Sequence, residues 1–262
     1  MSFAARLDAA IERSGSLLCC GLDPDGAGDP QEAERFCESL LEAALGYAAA
    51  VKANLAFFEQ LGSAGYAVLE RLRRRIPEDR ILILDGKRGD IGNTASAYAR
   101  ALFDVLGADA VTVNPLMGHD AVAPFLERDG RGAFLIARSS NPGAADLLDA
   151  ELAGGTRVHR RIVELGLAWD PGGAVGFVVG ATNVDAVRAV REAAAGAPLL
   201  LPGVGAQGAS LEDGVRAGVD AHGGRLLVAI SRGIASAAEG PGPAAAVFAR
   251  RIAAARNAGA AA

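Results

Sequence analysis

Eight short apolar runs alternate with eight segments of helical periodicity along this 262-residue chain, and this alternation constrains its fold more than any other feature. Each apolar run ends in a turn or a polar cluster, as expected for strands that are buried on both faces. Strands are predicted at residues 16–23, 49–54, 81–87, 108–114, 132–139, 174–180, 198–203 and 226–231. Strict alternation of strand and helix favours parallel strands, and eight such units favour an α/β fold of the closed (β/α)8 TIM barrel type.

The helical segments complete these units. They lie at about residues 31–48, 57–75, 94–106, 119–128, 144–168, 183–195, 209–217 and 243–256, after an N-terminal helix at about 3–13. No linker divides the chain, so residues 1–262 are predicted to form a single domain with a tail at about 257–262 that frays. An open doubly wound sheet is the alternative fold. It usually carries a glycine fingerprint after its first strand, and the segment GLDPDGAGDP found there has no G-x-G-x-x-G.

Composition narrows the classes of function. A net charge of −5, with dispersed Lys and Arg, provides no basic surface for nucleic acid. No segment is apolar for the roughly 20 residues that a membrane span requires, and the N-terminus lacks the apolar stretch of a signal peptide. Cys19, Cys20 and Cys37 are interpreted as reduced core residues, and no local zinc-binding spacing is present. We therefore expect a cytoplasmic protein that binds neither nucleic acid nor membrane and holds no metal.

The densest group of charges lies in residues 81–94, ILILDGKRGDIGNT. Asp85 and Lys87 share a face at a strand end, where an isolated charge costs several kcal/mol to desolvate. With Lys52 and Asp90 they are predicted to form an array in which each ammonium lies between carboxylates. Such an array is either a salt-bridge network that closes the barrel mouth or a catalytic site with a lysine proton donor. Four charges on two adjacent strand ends favour the catalytic interpretation.

A second functional pattern lies in the loops after the last two strands, LPGVGAQGAS at 201–210 and AISRGIAS at 229–236. Glycines allow the backbone to approach an oxyanion closely, and Arg232 supplies a positive charge at a strand end. Barrels commonly bind phosphate after strands seven and eight. The alternative is that these glycines only form tight turns, but the otherwise awkward charge of Arg232 favours a phosphate site.

Together these motifs resemble the orotidine 5′-phosphate decarboxylase family over nearly the whole chain, and in particular its longer bacterial subgroup. The similar segments are GLDPD (21–25), VKAN (51–54), DGKRGDIGNT (85–94), SSNPG (139–143), LPGVGAQG (201–208) and SRG (231–233). The resemblance implies a carboxy-lyase that converts orotidine 5′-phosphate (OMP) to UMP and CO2 in pyrimidine biosynthesis. It also implies a (β/α)8 barrel, a homodimer with shared active sites, and no cofactor.

The resemblance further implies a role for each matching residue. Lys87 protonates C6 of the pyrimidine as CO2 leaves, Asp85 lies against the substrate carboxylate, and Lys52 and Asp90 help to hold Lys87 in place. The implied substrate-binding residues are Asp23 and Lys52 at the ribose, Ser140 at the pyrimidine amide, Gln207, Ser231 and Arg232 at the phosphate, and Pro202 beside them. Asp90, with Ile91 and Thr94, is implied to cross the dimer interface and contact ribose in the partner's site. Asn141 stands where many shorter relatives carry His, and neither it nor His119 is assigned a role.

Two other functions compete with this interpretation. Keto-gulonate phosphate decarboxylases and hexulose phosphate synthases share the D-x-K-x-x-D element but use magnesium to stabilise an enediolate. SSNPG, which is similar to a pyrimidine-binding motif, and PGVGAQG favour the pyrimidine enzyme over them. A non-catalytic barrel that binds a phosphate ligand is the second alternative, in which the charge array serves binding alone.

Overall fold

The computed structural model describes residues 1–170, 172–204 and 210–259, and its eight parallel strands close into a barrel in sequence order. The strands are β1 (Leu18–Gly21), β2 (Ala50–Asn54), β3 (Ile81–Arg88), β4 (Ala110–Val113), β5 (Gly132–Arg138), β6 (Val175–Val179), β7 (Leu199–Leu201) and β8 (Leu226–Ile230). The predicted (β/α)8 barrel is therefore confirmed. Because all strands are parallel, their carboxyl ends, and the polar residues that follow them, lie at one end of the barrel.

Helices surround the barrel and cover its outer face. They are α1 (Phe3–Ser14), α2 (Pro30–Ala44), α3 (Ala56–Glu59), α4 (Gly62–Arg75), α5 (Gly92–Ala99), α6 (His119–Val122), α7 (Ala144–Leu147), α8 (Val158–Trp169), α9 (Val184–Ala193), α10 (Leu211–Gly218), α11 (Arg232–Ala235) and α12 (Pro241–Gly259). Single 3-10 turns follow α2 (Leu45–Tyr47) and α6 (Ala123–Phe125), and a π-helical segment (Arg100–Val105) follows α5. No helix among the described residues is long and apolar enough to cross a membrane.

The helix boundaries differ from the sequence prediction in several places. The helix predicted at 57–75 is interrupted between α3 and α4, where Gly62 adopts a φ of 64°. The helix predicted at 144–168 is divided into α7 and α8, because Gly154 and Gly155 adopt φ values of 98° and 82° that a helix cannot accommodate. The short helix α11 after β8 was not predicted. In contrast, α12 continues through Gly259, so part of the tail expected to fray is helical.

Buried charges at the opposite end of the barrel, where the strands begin, have hydrogen-bonding partners. Asp109, which is 1% exposed, accepts a hydrogen bond from Leu82 N and pairs with Arg6 and Arg131 at 2.7 and 2.6 Å. Arg191, in α9, donates to five backbone carbonyl oxygens of the neighbouring loops. Polar groups at this end stabilise the barrel, and the opposite end is left for a functional site.

Candidate active site

Four charged side chains form one row at the carboxyl ends of the first three strands. Lys87 Nζ lies 2.8 Å from Asp85 Oδ1, Lys52 Nζ lies 3.3 Å from Asp85 Oδ2, and Lys52 Nζ lies 3.7 Å from Asp23 Oδ1. Strand register explains the arrangement, because Asn54 pairs with Asp85 across β2 and β3, which places Lys52 one inward-facing position below. The charges alternate in sign along the row, as expected from the sequence, but its fourth member within one chain is Asp23.

The row keeps its buried members ionised. Burial opposes a charge on Lys52, but the attraction of Asp23 and Asp85 outweighs that cost and raises the pKa of Lys52 above its usual value. Burial likewise favours the neutral form of Asp85, but both lysines and the hydrogen bonds from Lys87 and Thr112 lower the pKa of Asp85 to about 2. Lys87 differs from Lys52 in that its side chain is 51% exposed against 7%. Lys87 thus carries the more exposed of the two ammonium groups.

Asp23 links this row to the segment after β8, the strand that pairs with β1 where the barrel closes. Ser231, which follows β8, donates a hydrogen bond to Asp23 Oδ2 at 2.6 Å, and Asn54 N donates to Asp23 Oδ1 at 3.1 Å. Gly21 makes this approach sterically feasible, because a Cβ at this position would lie 1.8 Å from Ser231 Oγ. The GLDPD motif therefore needs its glycine for packing and its first aspartate for a polar contact.

A cavity of about 390 Å³ opens above these side chains. Its volume is within the range of about 300–1,000 Å³ that is usual for small-molecule sites. Seven of the residues singled out from the sequence line it: Asp23, Lys52, Asp85, Ser140, Pro202, Ser231 and Arg232. Lys87 is not among the lining residues, but its ammonium contacts Asp85, which is one of them. The structure thus gathers side chains from widely separated motifs around one space that suits a small polar ligand.

Ser140 lies on a well-anchored segment after β5. Thr182 Oγ1 donates to Ser140 O at 2.9 Å, and a Cβ on Gly180 would lie 2.5 Å from Ser140 Cα, so these segments approach closely only because residue 180 is glycine. Arg138 and Asp149 brace the loop further with two hydrogen bonds of 2.9 Å between guanidinium and carboxylate. Ser140 therefore lies on a segment whose position in the cavity wall is fixed by these contacts.

The opposite wall of the cavity carries an exposed cation. Arg232 begins α11, directly after Ser231, and no carboxylate among the described residues lies within 4 Å of its guanidinium. Gly203 and Val204 line the cavity on the same side. Gln207, predicted to share this region, lies outside the described residues. An unpaired guanidinium beside backbone that approaches the cavity suits an anionic group such as phosphate.

Three predicted residues lie away from this cavity within a single chain. Asp90, Ile91 and Thr94 follow the turn after β3, and of the residues described none of these three lines the cavity. Asp90 Oδ1 accepts a hydrogen bond from Ile91 N at 2.8 Å, and Asp90 has no described ion-pair partner. The expected contact of Asp90 with the lysines is therefore not made inside one subunit.

Sequence reasoning missed several residues that the fold brings to the site. Thr112, in β4, donates to Asp85 Oδ1 at 2.8 Å and accepts from Lys87 N at 2.9 Å. A hydroxyl in an otherwise apolar strand was the signal available for it. Asp25 and Phe57 also line the cavity. Their contribution depends on how the loops after β1 and β2 fold, which strand periodicity does not indicate.

No group of three or more His, Cys, Asp or Glu is placed to hold a metal ion in the part of the chain that the structure describes. Asp85 and Asp23 have their carboxylates engaged by lysine, serine and backbone donors. What the described arrangement offers is a fixed ammonium beside a carboxylate, together with hydrogen-bonding groups for a polar, anionic molecule.

Comparison with known proteins places these motifs in context. A profile of the orotidine 5′-phosphate decarboxylase / HUMPS family matches residues 16–248. The chain is 46% identical over 248 residues to an orotidine 5′-phosphate decarboxylase of Roseiflexus castenholzii, which covers 92% of this chain and 91% of that protein. An orotidine 5′-phosphate decarboxylase of Thermomicrobium roseum is 43% identical over 243 residues, with 89% and 86% covered. The similarity extends over the barrel and all the site segments.

Solved structures are similar over the same extent. The OMP decarboxylase of Leishmania donovani superimposes with a TM-score of 0.91 and 38% sequence identity, over 98% of this chain and 99% of that chain. Structural similarity and sequence similarity therefore relate this chain to the same group of proteins.

Proposed function

The chain belongs to the orotidine 5′-phosphate decarboxylase / HUMPS family, and on that premise we propose that it converts OMP to UMP and CO2 with Lys87 as the proton donor. The observation that carries this proposal is the 2.8 Å contact between the exposed Lys87 Nζ and Oδ1 of Asp85, which lines the cavity. A half-exposed ammonium fixed by a buried carboxylate is suited to give a proton to an adjacent carbon.

The reaction requires no further electron acceptor. As the bond from C6 to the carboxylate carbon breaks, its electron pair stays on C6 and CO2 leaves. Lys87 stabilises that developing negative charge electrostatically and transfers a proton to C6, becoming a neutral amine until it takes a proton from water. Asp85, whose pKa is about 2, stays anionic throughout and holds the donor in position.

The substrate assignment combines the family resemblance with the residues that line the cavity. We assign the pyrimidine to the side of Ser140, the ribose hydroxyls to Asp23 and Lys52, and the phosphate to Ser231 and Arg232, with Pro202 in the adjoining wall. Gln207 is proposed to complete the phosphate site. Binding contacts remote from C6 are useful because they convert the affinity for phosphate and ribose into correct placement of the reacting carbon.

We further propose a homodimer in which Asp90, Ile91 and Thr94 enter the site of the second subunit. Two observations support it. Asp90 has no described ion-pair partner in its own chain. Ile91 is also 56% exposed, as are Leu116 and Met117, at 54% and 50%, on the loop after the neighbouring strand β4. Large apolar side chains that share one end of a barrel are typical of a surface covered by another subunit.

A spectrophotometric assay with OMP tests the activity directly, and excess EDTA separates it from the magnesium-dependent relatives. We expect turnover that EDTA leaves unchanged. Loss of turnover in EDTA, restored by added magnesium, would favour the enediolate-forming enzymes. A chain that binds UMP but never decarboxylates OMP would instead be the non-catalytic binding barrel.

The cellular setting is also a proposal. Cys19, Cys20 and Cys37 are all free and buried in the barrel and in α2. Burial raises the pKa of Cys20 and of Cys37 to about 12. Unreactive, unpaired thiols suit a reducing compartment, and we propose the cytoplasm, with neither nucleic acid nor membrane as a partner.

A further inference from the structure

The pairing between β3 and β4 is irregular at the point where the proposed proton donor lies. Leu84 pairs with Val111 and Arg88 pairs with Val113, so residues 85–87 of β3 are opposite the single residue Thr112 of β4. Lys87 takes up part of the additional length of β3 by adopting a φ of 46°. This is a left-handed backbone conformation that residues other than glycine seldom adopt. Bulges of this kind redirect a side chain and are common beside active sites.

The bulge removes a backbone partner from Lys87 N, and the Thr112 hydroxyl replaces it. Lys87 N donates to Thr112 Oγ1 at 2.9 Å, and Thr112 Oγ1 lies 2.8 Å from Asp85 Oδ1. The directions of both bonds are determined by chemistry, because an ionised carboxylate only accepts and a backbone amide only donates. A hydroxyl can do both, because it accepts the hydrogen bond from Lys87 N and donates one to Asp85 Oδ1.

These bonds form a closed ring with the ion pair. Asp85 Oδ1, which receives the Thr112 hydroxyl, also receives Lys87 Nζ at 2.8 Å. Lys87 is therefore anchored at its backbone amide and at the tip of its side chain, and Thr112 joins the two anchors. Lys52 holds the other oxygen of Asp85 at 3.3 Å, so the carboxylate cannot rotate freely.

We propose that Thr112 is a positioning residue for proton transfer, which sets the place of the Lys87 ammonium by fixing both its backbone amide and its carboxylate partner. Thr112 is 1% exposed and is not among the residues that line the cavity, so it acts through Lys87 and Asp85 and does not contact substrate. The inference rests on the proposed role of Lys87. A displacement of a reacting group by about 1 Å can cost about 100-fold in rate, so small adjustments of this ring would be visible in turnover.

The test compares Thr112→Val, which has nearly the same volume but neither donates nor accepts, with Thr112→Ser, which keeps the hydroxyl. We expect Thr112→Val to lower kcat by about 10- to 100-fold while KM for OMP and the Kd for UMP change by less than about 3-fold. Thr112→Ser should recover kcat to within about 3-fold of wild type. The kcat values are expressed per UMP-binding site, so that misfolded protein, which does not bind UMP, does not lower the measured kcat.

Two outcomes would overturn the inference: a kcat for Thr112→Val equal to that of wild type, or losses of kcat and UMP affinity of the same size. If the valine variant does not fold, Thr112→Ala takes its place with the same expectations. Wild-type turnover of OMP is measured in parallel. An inactive wild type contradicts the proposed function, whereas an active wild type with an unaffected valine variant contradicts only the role of Thr112.

Discussion

Ser231 donates a 2.6 Å hydrogen bond to Asp23, and this contact joins the residue after the last strand to the segment after the first. The barrel closes at the same place, because β8 pairs directly with β1. The strand pairing that closes the barrel thus also brings two residues of the site together. Any change that separates β1 from the end of β8 should affect both.

Gly21→Ala tests this connection. The added Cβ would lie 1.8 Å from Ser231 Oγ and 3.1 Å from Ser231 Cα, so the segment after β8 must move. We expect the free energy of unfolding to fall by about 1–3 kcal/mol and the affinity for UMP to fall as well. Gly46→Ala is the matched control, because a Cβ there meets no atom within 4 Å. Equal stability and UMP affinity in both variants would contradict the connection.

Lys87→Ala should abolish most turnover without abolishing binding. A positioned proton donor contributes about 10²- to 10⁴-fold to a rate, and the electrostatic contribution of the ammonium is lost with it. Steady-state assays should therefore show kcat reduced by at least about 100-fold, while calorimetry still detects UMP. UMP binding should persist because Ser140 and Arg232, which line the cavity, are kept in this variant. Retained turnover would remove Lys87 from the proposed chemistry.

Mixed dimers test the shared site. Lys87→Ala and Asp90→Ala chains should each be inactive alone, and mixing them should restore activity. Random exchange makes half of the dimers hybrid, and each hybrid has one site with both residues intact, so about a quarter of wild-type activity is expected. Unmixed samples treated identically are the control. Hybrid dimers that are demonstrated by mass but remain inactive would refute the arrangement.

The pH dependence of stability should report on Asp85. Its pKa is about 2 in the folded protein against a usual value of 3.8, so its ionisation stabilises the fold above about pH 4, and that stabilisation is lost as the pH falls towards 2. The contribution is about 2 kcal/mol. Urea unfolding of wild type and Asp85→Asn between about pH 3 and 7 should therefore show a steeper loss for wild type in acid. Parallel profiles would contradict the low pKa.

The strand and helix pattern was predictable because it is local. Buried strands and amphipathic helices leave apolar periodicities in the chain, and a strict alternation of the two leaves few topologies besides the barrel. The division of the helix predicted at 144–168 was not predictable from apolar periodicity, because it depends on the left-handed backbone of Gly154 and Gly155.

The sequence by itself determined the barrel, because strands and helices alternate along the whole chain. It also placed Asp85 and Lys87 at one strand end, because that follows from spacing along a single segment. Tertiary structure alone decided that Asp23 completes the row of charges within a chain and that Thr112 joins Lys87 to Asp85. Those contacts depend on strand register and on a bulge between β3 and β4. Distances across strands are set by how the sheet packs as a whole, and spacing along the chain does not encode them.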